Sequence, residues 1–116
     1  MWYPADWAVG TFTGTGDIGN TSVKKRKAAT VTLTVSSAGK ISGKFVRKSD
    51  KKSFSFKADA FSEFLEDALC VETTISYGSK KCALVIAVSQ DEETGATVAN
   101  LLVTYKNKEY GTASLK

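Results

Sequence analysis

Apolar and polar residues alternate strictly through the segment Ala29–Ala60. Ala29, Val31, Leu33 and Val35 are interleaved with Thr30, Thr32, Thr34 and Ser36, the period of two that marks a strand with one dry face. The alternation resumes after Gly39 with Ile41, Gly43 and Phe45, and after Ser49-Asp50 with Phe54, Phe56 and Ala58. Three antiparallel strands joined by two turns are predicted. A three-residue Ser37-Ala38-Gly39 loop with Gly39 left-handed sets Val35 opposite Ile41, Leu33 opposite Gly43 and Val31 opposite Phe45. A two-residue Ala38-Gly39 turn would set Ser36 against Ile41 and turn the apolar set to the wrong face. Across the second turn Phe45 meets Phe54, and Phe56 meets Gly43, where the missing side chain leaves room for the ring.

The rest of the chain lies beside this meander. Trp7–Thr13 reads as the first strand, its glycines suggesting the coil that lets a sheet close, and Thr15–Ser22 reads as a loop. Leu69–Tyr77 and Lys80–Ser89 pair about Gly78-Ser79, and Thr97–Lys106 pairs with Glu109–Leu115 across Asn107-Lys108. The expected fold class is all-β: about eight antiparallel strands in an up-and-down meander. They form a small closed or flattened barrel, the last strand against the first. Phe61–Ala68 is its one short helix or ordered loop, with Phe61, Phe64 and Leu65 at helical spacing. Ala83, Val85 and Ala87 make the outer side of one strand apolar as well, a candidate interaction face. Folding of Phe61, Phe64 and Leu65 over that face favours a monomer; cover by a second molecule, hence a dimer, is the alternative.

Length and composition narrow the classes. A chain of 116 residues, 42% hydrophobic with one proline, reads as a single barrel-like domain over 1–116 with a real core. No apolar run is long enough for a membrane helix, and the N-terminus MWYPADWAVG lacks the basic and apolar stretches of a signal peptide. There is no histidine, which removes the commonest general base and metal ligand. Gly14-Thr15-Gly16-Asp17-Ile18-Gly19 matches the dinucleotide fingerprint literally. No helix follows it and no acidic residue stands about 20 positions on, so the glycines are read as a wide hairpin loop. The carboxylate groups Asp91-Glu92-Glu93 and Glu63, Glu66, Asp67 have no partner base or nucleophile, and the former fits no defined calcium loop. No catalytic, metal or cofactor site is expected, and the chain is not read as an enzyme.

The net charge is +4, with Lys24, Lys25, Arg26 and Lys27 as its densest run. Together with Lys44, Arg47, Lys48, Lys51 and Lys52 this run could make one end of the barrel basic. Without aromatic platforms on the same face it is a weak signal for nucleic acid, and a solvated, edge-protecting role is the plainer reading. Cys70 and Cys82 are not expected to join. In the predicted register they face opposite sides of the sheet, about 16 Å apart along the strands, whereas a disulfide tolerates about 7 Å. Cys82 is expected as a buried thiol and Cys70 as a thiol on the covered outer face.

Gly10-Thr11-Phe12 is similar to the Gly-x-Trp opening of lipocalins, with phenylalanine in place of tryptophan, and a small apolar ligand carrier is the alternative function. The stretches Gly10-Thr11-Phe12-Thr13-Gly14, Thr34–Phe45 (TVSSAGKISGKF) and Ser53-Phe54-Ser55-Phe56 resemble repeat modules of large secreted bacterial surface proteins. The resemblance covers about the first half of the chain. It implies a non-catalytic structural or interaction module, extracellular or at the cell surface if excised from a larger chain and otherwise cytoplasmic. Its partners would be proteins or neighbouring domains. It assigns no binding residue.

Overall fold

Threonine and valine favour the extended, half-buried backbone of a pleated surface, and the alternating segment forms its strands in the predicted register. A computed structural model describes residues 8–59, 61–64, 68–91 and 93–116, with residues 23, 63 and 64 given by backbone alone. Its strands are β1 (Gly10–Ile18), β2 (Lys27–Val35), β3 (Ile41–Arg47), β4 (Ser53–Ala58), β5 (Glu63–Phe64), β6 (Ala68–Tyr77), β7 (Lys80–Gln90), β8 (Thr97–Tyr105) and β9 (Lys108–Leu115). Eight are long; β5 has two residues. All pair antiparallel in the order β4-β3-β2-β1-β9-β8-β7-β6-β5. The last strand closes on the first, Gly14 opposite Leu115 and Ile18 opposite Gly111.

The sheet nearly closes into a barrel. β4, one edge strand, lies beside β6, the strand that the short β5 borders at the other edge, without a backbone ladder between them. Side chains bridge the gap: the Thr73 hydroxyl donates to the Lys57 carbonyl at 2.8 Å, and the Phe54 ring stacks on Tyr77 with centroids 4.5 Å apart. Within the barrel Leu33, Phe45, Leu84, Ile86 and Val103 have no accessible surface. A water-sized void beside any of them would leave some, so these side chains fill the interior, as eight strands allow.

Glycines set the curvature where backbones approach closely. A Cβ at Gly16 would lie 2.6 Å from the Ala113 Cβ, and one at Gly14 would strike the Ser114 carbonyl. Position 43 is likewise closed, since a Cβ there would lie 2.5 Å from the Phe56 Cζ. The Phe56 ring covers the gap in its neighbour strand.

Four expectations are corrected. Gly14–Ile18 is strand rather than a wide loop, because β9 needs those glycines for its approach; the β1–β2 connection spans only residues 19–26. No α-helix forms at residues 61–64: Phe61 enters the core, and β5 pairs with Leu69 and Cys70. Leu65, Glu66 and Asp67 lie outside the described residues, as does the N-terminal segment Met1–Trp7. Phe61 therefore does not cover the outer face of β7, where Ala83, Val85 and Ala87 are half-buried and Leu102 beside them is exposed. The last hairpin turns at Lys106-Asn107, both left-handed, one residue earlier than expected. A bulge opposite Val103/Thr104 then moves the pairing by one residue, setting Leu101 opposite Ala113.

The hairpin register places Cys70 opposite Ala87 and Ile75 opposite Cys82, as predicted, and no disulfide joins the two cysteines. Burial raises the Cys82 thiol pKa. Thiol titration without reductant should count two groups per chain in denaturant, with Cys82 unreactive in the native protein; a count of zero would mean the β6–β7 register is wrong. Gly43→Ala should destabilise by about 1–3 kcal/mol through overpacking against Phe56 and the Thr32 carbonyl. Ser42→Ala, its outward-facing neighbour, should stay within about 0.5 kcal/mol in the same denaturant titration.

Candidate functional site: the basic end of the barrel

Antiparallel hairpins put alternate connections at the same end of a barrel. One end here carries the β1–β2 connection and the β3–β4, β6–β7 and β8–β9 turns. These bring together Lys24, Lys25 and Lys27; Lys48, Lys51 and Lys52; Lys80 and Lys81; and Lys106 and Lys108. All ten are exposed. With Arg26 and Arg47, this end holds twelve of the chain's 16 cations; among the described residues its carboxylates are Asp17, Asp50 and Glu109.

The two arginines take those carboxylates. Arg26, its side chain 2% exposed, lies 3.7 Å from Asp17 and 3.8 Å from Glu109. It donates to the carbonyls of Asn20 at 2.8 Å and Glu109 at 3.1 Å, fastening the β1–β2 connection to the start of β9. Arg47 grips Asp50 with a two-pronged fork, Nε to Oδ1 at 2.8 Å and Nη2 to Oδ2, and donates its third group to the Tyr77 hydroxyl at 2.7 Å. Among the described residues no lysine of this end is in an ion pair.

An aromatic chain floors the same end. Phe54 stacks on Tyr77, Tyr77 meets Tyr110 edge-on at 5.8 Å, and Tyr110 meets Tyr105 at 5.6 Å. Tyr110 is the extra residue of the β9 bulge, a device that re-aims a side chain; here it turns the ring inward to 4% exposure. The Lys80 ammonium sits 5.6 Å from the Tyr105 centroid and 5.5 Å from that of Tyr110, and Lys106 lies 5.4 Å from Tyr105. Lys80 also donates to the Tyr110 hydroxyl at 3.3 Å, a bond that raises its pKa and keeps it cationic.

The expected run of basic residues thus divides. Lys24, Lys25 and Lys27 point to solvent, whereas Arg26 is a buried fastening. Their connection enters β2, which is paired on both sides, so these lysines protect no sheet edge. Lys44 lies away from this end, beside an open groove on the outer wall lined also by Thr32, Thr34, Ser42, Ser55 and Lys57. Sequence reasoning missed Lys80, Lys81, Lys106, Lys108 and the three tyrosines. The turn positions of these lysines were available as a signal once the hairpins were paired. The bulge that aims Tyr110 was marked only by Gly111 beside it in the strand. No group of three or more His, Cys, Asp or Glu residues is placed to hold a metal among the described residues, and no helix there is long and apolar enough to cross a membrane. Comparison with protein-family models, curated proteins and solved structures gives no match.

Hydrogen bonding from Arg47 holds the Asp50 carboxyl well below its ordinary pKa. A depressed carboxylate contributes stability that is present above its unfolded pKa, about 4, and is lost as pH falls through the folded value. Asp50→Asn should therefore melt below the native protein at neutral pH. The difference should shrink as acid is added below about pH 4; a difference constant down to the acid limit would sever it from Asp50 ionisation.

Proposed function

We propose that this chain is a non-catalytic interaction module that holds an anionic partner against the basic end of its barrel. The observation that carries this reading is the separation of roles at that end: arginines neutralise its carboxylates, while ten exposed lysines have no acidic partner among the described residues. Such a surplus repels itself and weakens the compact state unless an anion relieves it. The non-catalytic reading draws support from the lack of histidine and from carboxylates fastened by arginine rather than poised beside a nucleophile. A place within a larger extracellular chain, beside neighbouring domains, follows from the likeness to surface-protein repeats.

The module reading is tested by titrating the protein with three polyanions of different chemistry, namely polyglutamate, polyphosphate and a sulfated polysaccharide, at low and moderate salt. Binding to at least one, weakening steeply with salt, is expected. Binding to none at about 50 mM salt would remove the reading.

One observation favours a second reading, the small apolar ligand carrier. The outer groove over Gly43 has an accessible volume of about 550 Å³, within the range of ligand pockets, and Phe56 lies in its floor. The filled interior directs such a ligand to this groove. An environment-sensitive apolar dye that brightens on the native protein and loses its signal in Thr34→Lys would support the carrier; no brightening would end it.

A further inference from the structure

We infer that the partner of the basic end is a linear sulfated polysaccharide, read by its charge density. This rests on the reading of that end as the interface and names the chemistry of its occupant. The first ground is the spread of the cations. Ten lysines stand on four separate connections around the end of a barrel whose smaller dimensions are 28 and 24 Å. They converge on no single point, so a small anion meets only one or two of them. A chain carrying a charge on each successive unit meets many at once and gains by their number.

The second ground is the type of cation left available. Arginine offers a planar fork matched to carboxylate and phosphate, lysine a point charge with rotatable donors. Both arginines of this end are already engaged, Arg26 with Asp17 and Glu109, Arg47 with Asp50 and Tyr77. What remains selects for density of charge rather than for a bidentate geometry.

The third ground separates a polysaccharide from single-stranded nucleic acid, whose readers stack bases on aromatic faces. The rings here are occupied. Tyr77 is stacked by Phe54 and approached by Arg47 at 5.7 Å, Tyr110 is buried between Tyr77 and Tyr105, and Tyr105 is approached by two lysines. They hold cations in place and offer no platform. The β1–β2 connection carries a single 3-10 turn, Val23–Lys25, three residues long, too short to enter a duplex groove as a recognition helix does.

The experiment compares affinities of the intact chain for a size-defined heparin fragment and for single-stranded DNA of equal charge, by calorimetry at about 50 and 200 mM salt. The heparin fragment should bind at least about tenfold more tightly than the DNA at the lower salt, and should weaken at least about tenfold at the higher. Two triple variants, Lys24→Gln/Lys25→Gln/Lys27→Gln and Lys48→Gln/Lys51→Gln/Lys52→Gln, should each lose about tenfold and flatten the salt dependence. Lys40→Gln/Lys44→Gln/Lys57→Gln removes the same charge elsewhere and should change affinity by less than about twofold. Equal losses in all three variants would overturn the assignment to this end, and DNA binding as tightly as heparin would overturn the polysaccharide. Preference for polyglutamate or polyphosphate over heparin would also overturn it while leaving the module reading intact. No binding to any polyanion would remove both.

Discussion

The barrel depends on a gap. Every other pair of neighbouring strands is held by a backbone ladder, which satisfies the amides and carbonyls of both partners. Between β4 and β6 that ladder is absent, and besides the shared core three side-chain contacts bridge the seam among the described residues: Thr73 with the Lys57 carbonyl, Phe54 against Tyr77, and Arg47 with the Tyr77 hydroxyl. Tyr77 takes part in two of the three. Its ring supplies apolar area and its hydroxyl a charge-assisted acceptor, so one residue contributes both kinds of contact across the seam. The two-residue β5 pairs with Leu69 and Cys70 at the start of β6, and the rest of that edge faces β4 across the seam.

The same contacts build the basic end. The Arg47 guanidinium that Asp50 holds in a fork also donates to Tyr77, and Phe54, just after the β3–β4 turn, stacks on the same ring. The aromatic chain then carries this arrangement from Phe54 through Tyr77 and Tyr110 to Tyr105, from one edge of the sheet to the β8–β9 turn on the far side of the barrel. Lys80 and Lys106 are held over that chain by the ring quadrupoles. Closure and charge presentation are therefore one construction, and a substitution at Tyr77 disturbs both.

Much of the architecture was legible because the chain alternates cleanly. Val31, Leu33 and Val35 opposite Phe45, Gly43 and Ile41 leave one register that keeps this apolar set inside, and Phe56 over Gly43 followed from the same pairing. What escaped detection was governed by contacts between distant segments. Gly14 and Gly16 read as loop residues locally, since only the proximity of β9 explains them within a strand. Phe61 looked helical because its neighbours share that spacing, yet the core claimed it. The bulge at Tyr110 accompanies a last turn one residue earlier than expected, and Gly111 beside it was the one local mark of an irregularity inside the strand. Arg26 looked like one cation among four, because its burial depends on Asp17 and Glu109 meeting across the β1–β9 pair.

Charge and fold also oppose each other at this end. Ten lysines confined to one face raise the energy of the native state in proportion to how closely the fold gathers them. The unfolded chain, where the same residues are dispersed, carries less of that cost. Cation–π contacts and the Tyr110 hydroxyl offset part of it for Lys80 and Lys106, but Lys24, Lys25, Lys27, Lys48 and Lys51 have no such compensation among the described residues. A ligand that binds only the assembled rim stabilises the folded chain by mass action, and does so where the strand ladder is missing. An anionic chain laid across the four connections would tie the β3–β4 and β6–β7 turns, which flank the gap, from outside. Under the interface reading, partner binding and barrel closure are thermodynamically linked through Arg47 and Tyr77, and the open seam is the part of the fold that binding would stiffen most.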